Sequence, residues 1–253
     1  MDTTTPSPVE NVKPMSFTDK LVNIFTAPGE LYDNVRDTPP TASNWLVPAL
    51  IFLVVSIVMH FVAMNNPSIA DQTGAMMRKG MDDAVAQGKM TAEQADQTFE
   101  MMRPGSAMFT AMAVGGTLLM TFGALFGLGL VYWLVGKGAM SATSPYMKVV
   151  EVVGLTFLIG TLEVIVTSVM IIGLDRVTAT PSAAFFIGDF DFTNKMHALL
   201  GKLNLFTIWT LIVTSIGLSR LFRKDFPKVL VLVLVLWILW IALTVFAGCG
   251  VGQ

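Results

Sequence analysis

Residues 220–247 read RLFRKDFPKVLVLVLVLWILWIALTVFA. From Val229 onward nineteen successive residues carry no charge, a helix of roughly 28 Å at 1.5 Å per residue, close to the ~30 Å hydrocarbon core of a bilayer. In lipid such a run must be helical, because a helix closes its backbone hydrogen bonds within one segment. Immediately upstream, residues 203–222 form a second apolar run. Only six residues, 223–228, separate the two, and four of the nine from Arg220 to Lys228 are basic. A connection that short forces an antiparallel helical hairpin.

Three more blocks of similar character lie toward the N-terminus, at 45–64, 108–135 and 147–173. The spacing therefore predicts an all-α fold, a polytopic bundle of five transmembrane helices. The block 108–135 is roughly 42 Å long as a helix, so it is expected to tilt or to project from the bilayer. Composition agrees. Of 253 residues 53% are hydrophobic and 13% charged, against about 25% charged in a soluble domain. The lipid bilayer is the first partner this implies. A net charge of −2 gives no basic face for phosphodiesters, so no nucleic acid is expected.

The first 44 residues are polar and lack the apolar core of a signal peptide, so the first span is expected to serve as an uncleaved insertion signal. Asn66-Pro67-Ser68, blocked by its proline as a glycosylation acceptor, suits a bacterial source. With the N-terminus inside, the inner segments hold nine basic residues and the outer ones seven. The short loops decide the orientation, because the basic turn from Arg220 to Lys228 faces inward while the tail after Ala247 has no base. We expect the N-terminus in and the C-terminus out. Cys249, the lone cysteine, reads as a buried thiol.

Two parts follow: an N-terminal cytoplasmic region, residues 1–44, and a membrane domain, residues 45–253. In the first, Ser16 can cap a short helix whose Phe17, Leu21, Ile24 and Phe25 share a face, and Pro28 opens a second with Leu31 and Val35 on one side. Both are expected at the inner membrane surface as interfacial amphipathic helices. In the second, residues 65–107 read as an outer helical hairpin. Met77, Met81 and Val85 recur every four residues, Gly88 breaks the run, and Thr91 with Gln94 forms a capping box. Residues 174–202 carry the aromatics Phe185, Phe186, Phe190 and Phe192 and a short helix after Thr193, expected to lie along the outer interface or over the bundle.

Polar groups at membrane depth are the functional pointers in such a chain. Glu163 sits near the middle of the third span. A charge at a helix centre costs about 2.5–3.5 kcal/mol on insertion scales, so this carboxyl is expected either to serve an ion or proton path or to bond a neighbouring helix. Glu151 lies one turn from Lys148 near the inner interface, where snorkelling or a local ion pair suffices. His60, near the end of the first span, reads as structural. Asn204 opens the fourth span as a cap or an interhelical hydrogen bond, and Trp209 as core or lipid-facing. Gly123 and Gly127 form a GxxxG pair, expected to pack within the bundle, with dimer formation as the alternative. Asp189, Asp191 and His197 match no metal-ligand spacing. No Ser–His pair, HExxH or paired-Asp motif occurs, so neither catalysis nor a cofactor is expected.

The segment Ile24-Phe25-Thr26-Ala27-Pro28-Gly29-Glu30-Leu31-Tyr32, then Trp45 and a span, resembles the opening of the Yip1 domain family in its bacterial form. A second resemblance lies in Leu203-Asn204-Leu205-Phe206-Thr207-Ile208-Trp209, continuing to Gly217-Leu218-Ser219 and the basic turn. The matching positions are Pro28, Glu30, Asn204, Trp209 and Gly217, within a likeness covering roughly residues 16–250. The resemblance implies an integral protein of the bacterial cytoplasmic (inner) membrane that acts by association with proteins, membrane or further copies of itself. Eukaryotic relatives associate with Rab GTPases in membrane traffic. The short N-terminal tail and inserted hairpin of this chain depart from that pattern, and the Rab partnership is not carried over. The alternative expectation is a small transporter or channel centred on Glu163.

Overall fold

The structure, a computed structural model, describes residues 12–188, 190–191 and 194–246. Cys249 lies outside them. Among the described residues there are ten α-helices and no strand, only an isolated bridge between Ser182 and Asn204. Five helices are long and apolar enough to cross a membrane: α3 (Ser43–Met64), α6 (Ala107–Met140), α7 (Tyr146–Gly173), α9 (Leu205–Phe222) and α10 (Phe226–Phe246). The expected five spans are all present. α6 runs on past residue 135 to Met140, giving a helix of roughly 51 Å.

The short helices follow local chemistry. In α1 (Phe17–Thr26) the Ser16 Oγ accepts from the Asp19 N–H at 3.1 Å. α2 (Pro28–Asp37) starts on proline, whose missing N–H would be unsatisfied in a first turn anyway. α4 (Pro67–Ala86) gives way at Gly88, which sits at φ 68°, and α5 (Ala92–Met102) opens with the Thr91–Gln94 capping box. α4 and α5 fold back on each other with Arg78 joined to Asp96 at 2.6 Å, so the hairpin of residues 65–107 is present. The segment after α7 contains a 3-10 turn at Ala183–Phe186 and α8 (Lys195–Lys202). Gln72 ties it to the hairpin by donating to the Asp175 carbonyl at 2.9 Å and accepting from the Val177 N–H at 3.2 Å.

α7 is the central strut, packed against α3, α6 and α9 and, at its N-terminal end, against α1 and α2. Its residues Val149, Val150, Val152, Leu155 and Ile159 are fully buried. Two glycines permit the close crossings. A Cβ at Gly154 would fall on the backbone of Trp45, and one at Gly217 would lie 2.6 Å from Val152 Cγ1 and 2.9 Å from the Tyr32 ring. The expected packing of Gly123 and Gly127 is corrected here. Both are exposed on the outward side of α6, with nothing within 4 Å of an added Cβ. Gly129 and Gly136 make the inward contacts instead, against Val150 and Phe222. The exterior of the bundle is apolar. Leu119 on α6 is 74% exposed and Trp240 on α10 is 60% exposed, a surface suited to lipid rather than water.

Candidate functional site

The basic turn between α9 and α10 and the helices α1 and α2 share one end of the bundle, where a buried polar network holds the two helices to α7. Lys148 on α7 donates from Nζ to Glu151 Oε2 at 2.7 Å and to the Val35 carbonyl at the end of α2 at 2.5 Å. The other carboxylate oxygen, Oε1, accepts from Asn44 Nδ2 at 3.2 Å and from the Thr41 backbone N–H. Lys20 on α1 donates to Asn44 Oδ1 at 2.7 Å, and the Tyr32 hydroxyl donates to the Val152 carbonyl at 3.2 Å. The network fastens α1, α2 and the entry to α3 onto α7. Glu151 is 0% exposed, so of the two readings open to it the ion pair is realised and snorkelling is not. Desolvating an ion costs several kcal/mol unless its lone pairs are met, and here both oxygens have donors. Burial lowers the Lys20 ammonium from its ordinary pKa, opposed by Glu151 and reinforced by Lys148. Burial likewise raises the Tyr32 phenol above its usual range.

Glu151 was the one member of this network singled out from the sequence. Lys148 was recognisable as its partner by the three-residue spacing. Lys20 and Asn44 had weaker signals: a lysine in register with Phe17 and Ile24 on the apolar side of α1, and an amide one residue ahead of a span. The apolar face of α2 and part of that of α1 are turned to protein. Ile24, Leu31, Tyr32 and Val35 are buried against the bundle, while Leu21 and Val22 stay exposed.

At the opposite, hairpin end, Glu163 accepts from Asn204 Nδ2 at 2.8 Å. Asn204 is the N-cap of α9, its Oδ1 accepting from the Phe206 N–H at 2.8 Å, so it serves as both cap and interhelical bond. This pairing realises the expected bond to a neighbouring helix. α7 continues ten residues beyond it to Gly173, about 15 Å, whereas α9 starts at its level. The half-buried carboxyl thus stands beside the N-terminus of α9, where the positive end of the helix dipole favours it.

The remaining candidates are ring, helix-start or surface residues. His60 stacks near Phe61 and Phe109 at ring distances of 5.8 and 5.7 Å. Trp209 lies between Phe206 at 6.2 Å and Phe25 at 5.7 Å, joining α9 to α1. Pro28 starts α2, and Glu30 is exposed in its first turn. His197 Nδ1 accepts from the Asp191 N–H at 3.0 Å. Asp189 lies outside the described residues, and among those described no three ligand side chains cluster for a metal.

Trp209 and Gly217 lie where α1 and α2 dock on α9, against Phe25 and Tyr32, and a family profile, that of the Yip1 domain, matches residues 22–247, from within α1 past the end of α10. The chain belongs to the Yip1 domain family. No curated protein and no solved structure shows a significant match to it. The Yip1 domain thus includes the docked helices as well as the five spans, and this member is an integral membrane protein.

Proposed function

We propose that this Yip1-domain protein works by association rather than by catalysis, presenting its docked N-terminal helices to protein or membrane partners at the inner face of a bacterial cytoplasmic membrane. The observation that carries this is the buried network. It fixes two amphipathic helices rigidly to the bundle end while leaving Leu21 and Val22 39% and 52% exposed. Partner capture from gently solubilised membranes is the test. A reproducible partner, or a further copy of the chain, lost on Leu21→Asp/Val22→Asp supports the reading. A lone monomer recovered under the mildest conditions counts against it.

The same reading puts the N-terminus and the basic turn inside and the C-terminus outside. Its support is the four basic residues between Arg220 and Lys228. In a Cys249→Ser background, Lys89→Cys in intact cells should react with an impermeant maleimide and Lys224→Cys should not. The reverse pattern inverts the topology. The transport alternative draws on a free carboxyl at mid-membrane. The bond from Asn204 gives Glu163 a structural task instead, and association remains the better-supported function.

A further inference from the structure

We propose that the basic end holds a binding site for the phosphate of an anionic lipid headgroup, in the cleft between the start of α2 and the α9–α10 turn. The cleft has a volume of about 680 Å³, within the ~300–1,000 Å³ of small-ligand sites. Pro28 and Gly29 form one wall, Ile216 and Ser219 the other, and Arg220, Arg223 and Lys224 border it. A second cleft of about 460 Å³ adjoins it and shares Arg36 and Arg223.

The charge distribution identifies which cations are available. Arg36 is held by Asp33 and Asp37, each at 2.6 Å, and Lys228 by Asp225 at 2.8 Å. Arg220 reaches Asp33 only at 3.6 Å, on a carboxylate already shared with Arg36. Among the described residues Arg223 and Lys224 make no ion pair within 4.0 Å, and they act on Asp37 and Asp225 only through space. Arg223 caps α9 at φ 53°, a left-handed position where glycine is the usual occupant. Gly29 allows the Arg220 guanidinium to lie along α2, since a Cβ there would be 3.3 Å from its Nη2. Guanidinium groups match the paired oxygens of a phosphate.

A free phosphate would satisfy the cations alone. The surroundings favour a lipid. Ile216 lines the cleft, and Ile212 and Ile208 continue its row along α9, 40% and 45% exposed. On α10 Phe226 lines the cleft, and further along the helix Val231, Val235 and Ile238 are exposed. A headgroup in the cleft would leave its acyl chains on these apolar rows, with the phosphate where spans meet the headgroup layer. This deepens the associative reading by naming a lipid as one partner, and rests on it for its setting.

Native mass spectrometry and thermal melting of the full chain in neutral detergent test the proposal, with phosphatidylglycerol, cardiolipin, phosphatidylcholine and inorganic phosphate added separately. Phosphatidylglycerol or cardiolipin should be retained and raise the melting temperature, and phosphatidylcholine and inorganic phosphate should not. Arg223→Gln and Lys224→Gln should each weaken retention about fivefold, while Lys89→Gln at the hairpin end leaves it unchanged. If Arg223→Gln disturbs the turn, seen as a lowered melting temperature without lipid, Lys224→Gln with Arg220→Gln carries the test. Equal retention of phosphatidylcholine, or undiminished binding by the variants, overturns the site. Stabilisation by inorganic phosphate equal to that by phosphatidylglycerol overturns the lipid assignment. Partner capture on the same variants separates the two readings, since protein partners retained after lipid binding is lost leave association standing.

Discussion

Glu151 and Glu163 lie twelve residues apart on one helix and meet different fates. Glu151 has a cation and two further donors, and its stabilisation is conditional on all of them. Glu151→Ala strands the Lys148 ammonium in the interior, which should cost about 3–5 kcal/mol. The expected readout is a large fall in melting temperature in detergent. Lys148→Met with Glu151→Leu removes both charges and should lie close to the parent protein. Glu163→Gln keeps an acceptor for Asn204, so its effect on stability should stay under about 1 kcal/mol. Asn204→Ala removes a cap and an interhelical bond together and should cost about 1–2 kcal/mol by the same measurement. A proton or cation flux in proteoliposomes that Glu163→Gln abolishes would restore the transport reading. At this scale the pairing of Lys148 with Glu151 was legible because both lie on one helix. The approach of Lys20 and Asn44 was not, since it depends on how separate elements dock.

At the scale of elements, glycine spacing announced close packing on α6 but not its direction. α6 is apolar all round, so no amphipathic stripe marks which side meets α7, and the GxxxG pair turned out to face outward. The contact glycines Gly129 and Gly136 lie seven residues apart on the inward face, Gly154 and Gly160 lie six apart on α7, and Gly217 sits alone on α9. Gly217→Val should drive α9 away from Val152 and Tyr32 and cost about 1–3 kcal/mol. Gly123→Leu projects into open space and should fold normally. Chemical denaturation of the two variants side by side checks the contrast. The short helices were the most legible elements of all, because Ser16, Pro28, Thr91 and Gln94 act within one turn of themselves and need no tertiary information.

For the whole molecule, the count and order of spans were readable because lipid admits so few backbone solutions. The N-terminal amphipathic faces were expected on the membrane surface, since a membrane and a bundle end offer the same apolar surface to Leu31 and Val35. The protein interior takes them. Tyr32→Ala should empty that junction at a cost of about 3–5 kcal/mol and free the pair, so limited trypsin digestion at Arg36 should accelerate while the spans remain folded. The Tyr32 hydroxyl and the Val152 carbonyl are separated by 120 residues, and that interval is also a delay during synthesis. At about 5–20 residues per second the ribosome makes Val152 roughly 6–24 s after Tyr32. Through those seconds the two helices lack the α7 surface on which they dock. Their docking therefore waits for α7 and, because α2 also packs on α9, for α9 as well, so the segment made before every span is among the last to reach its place.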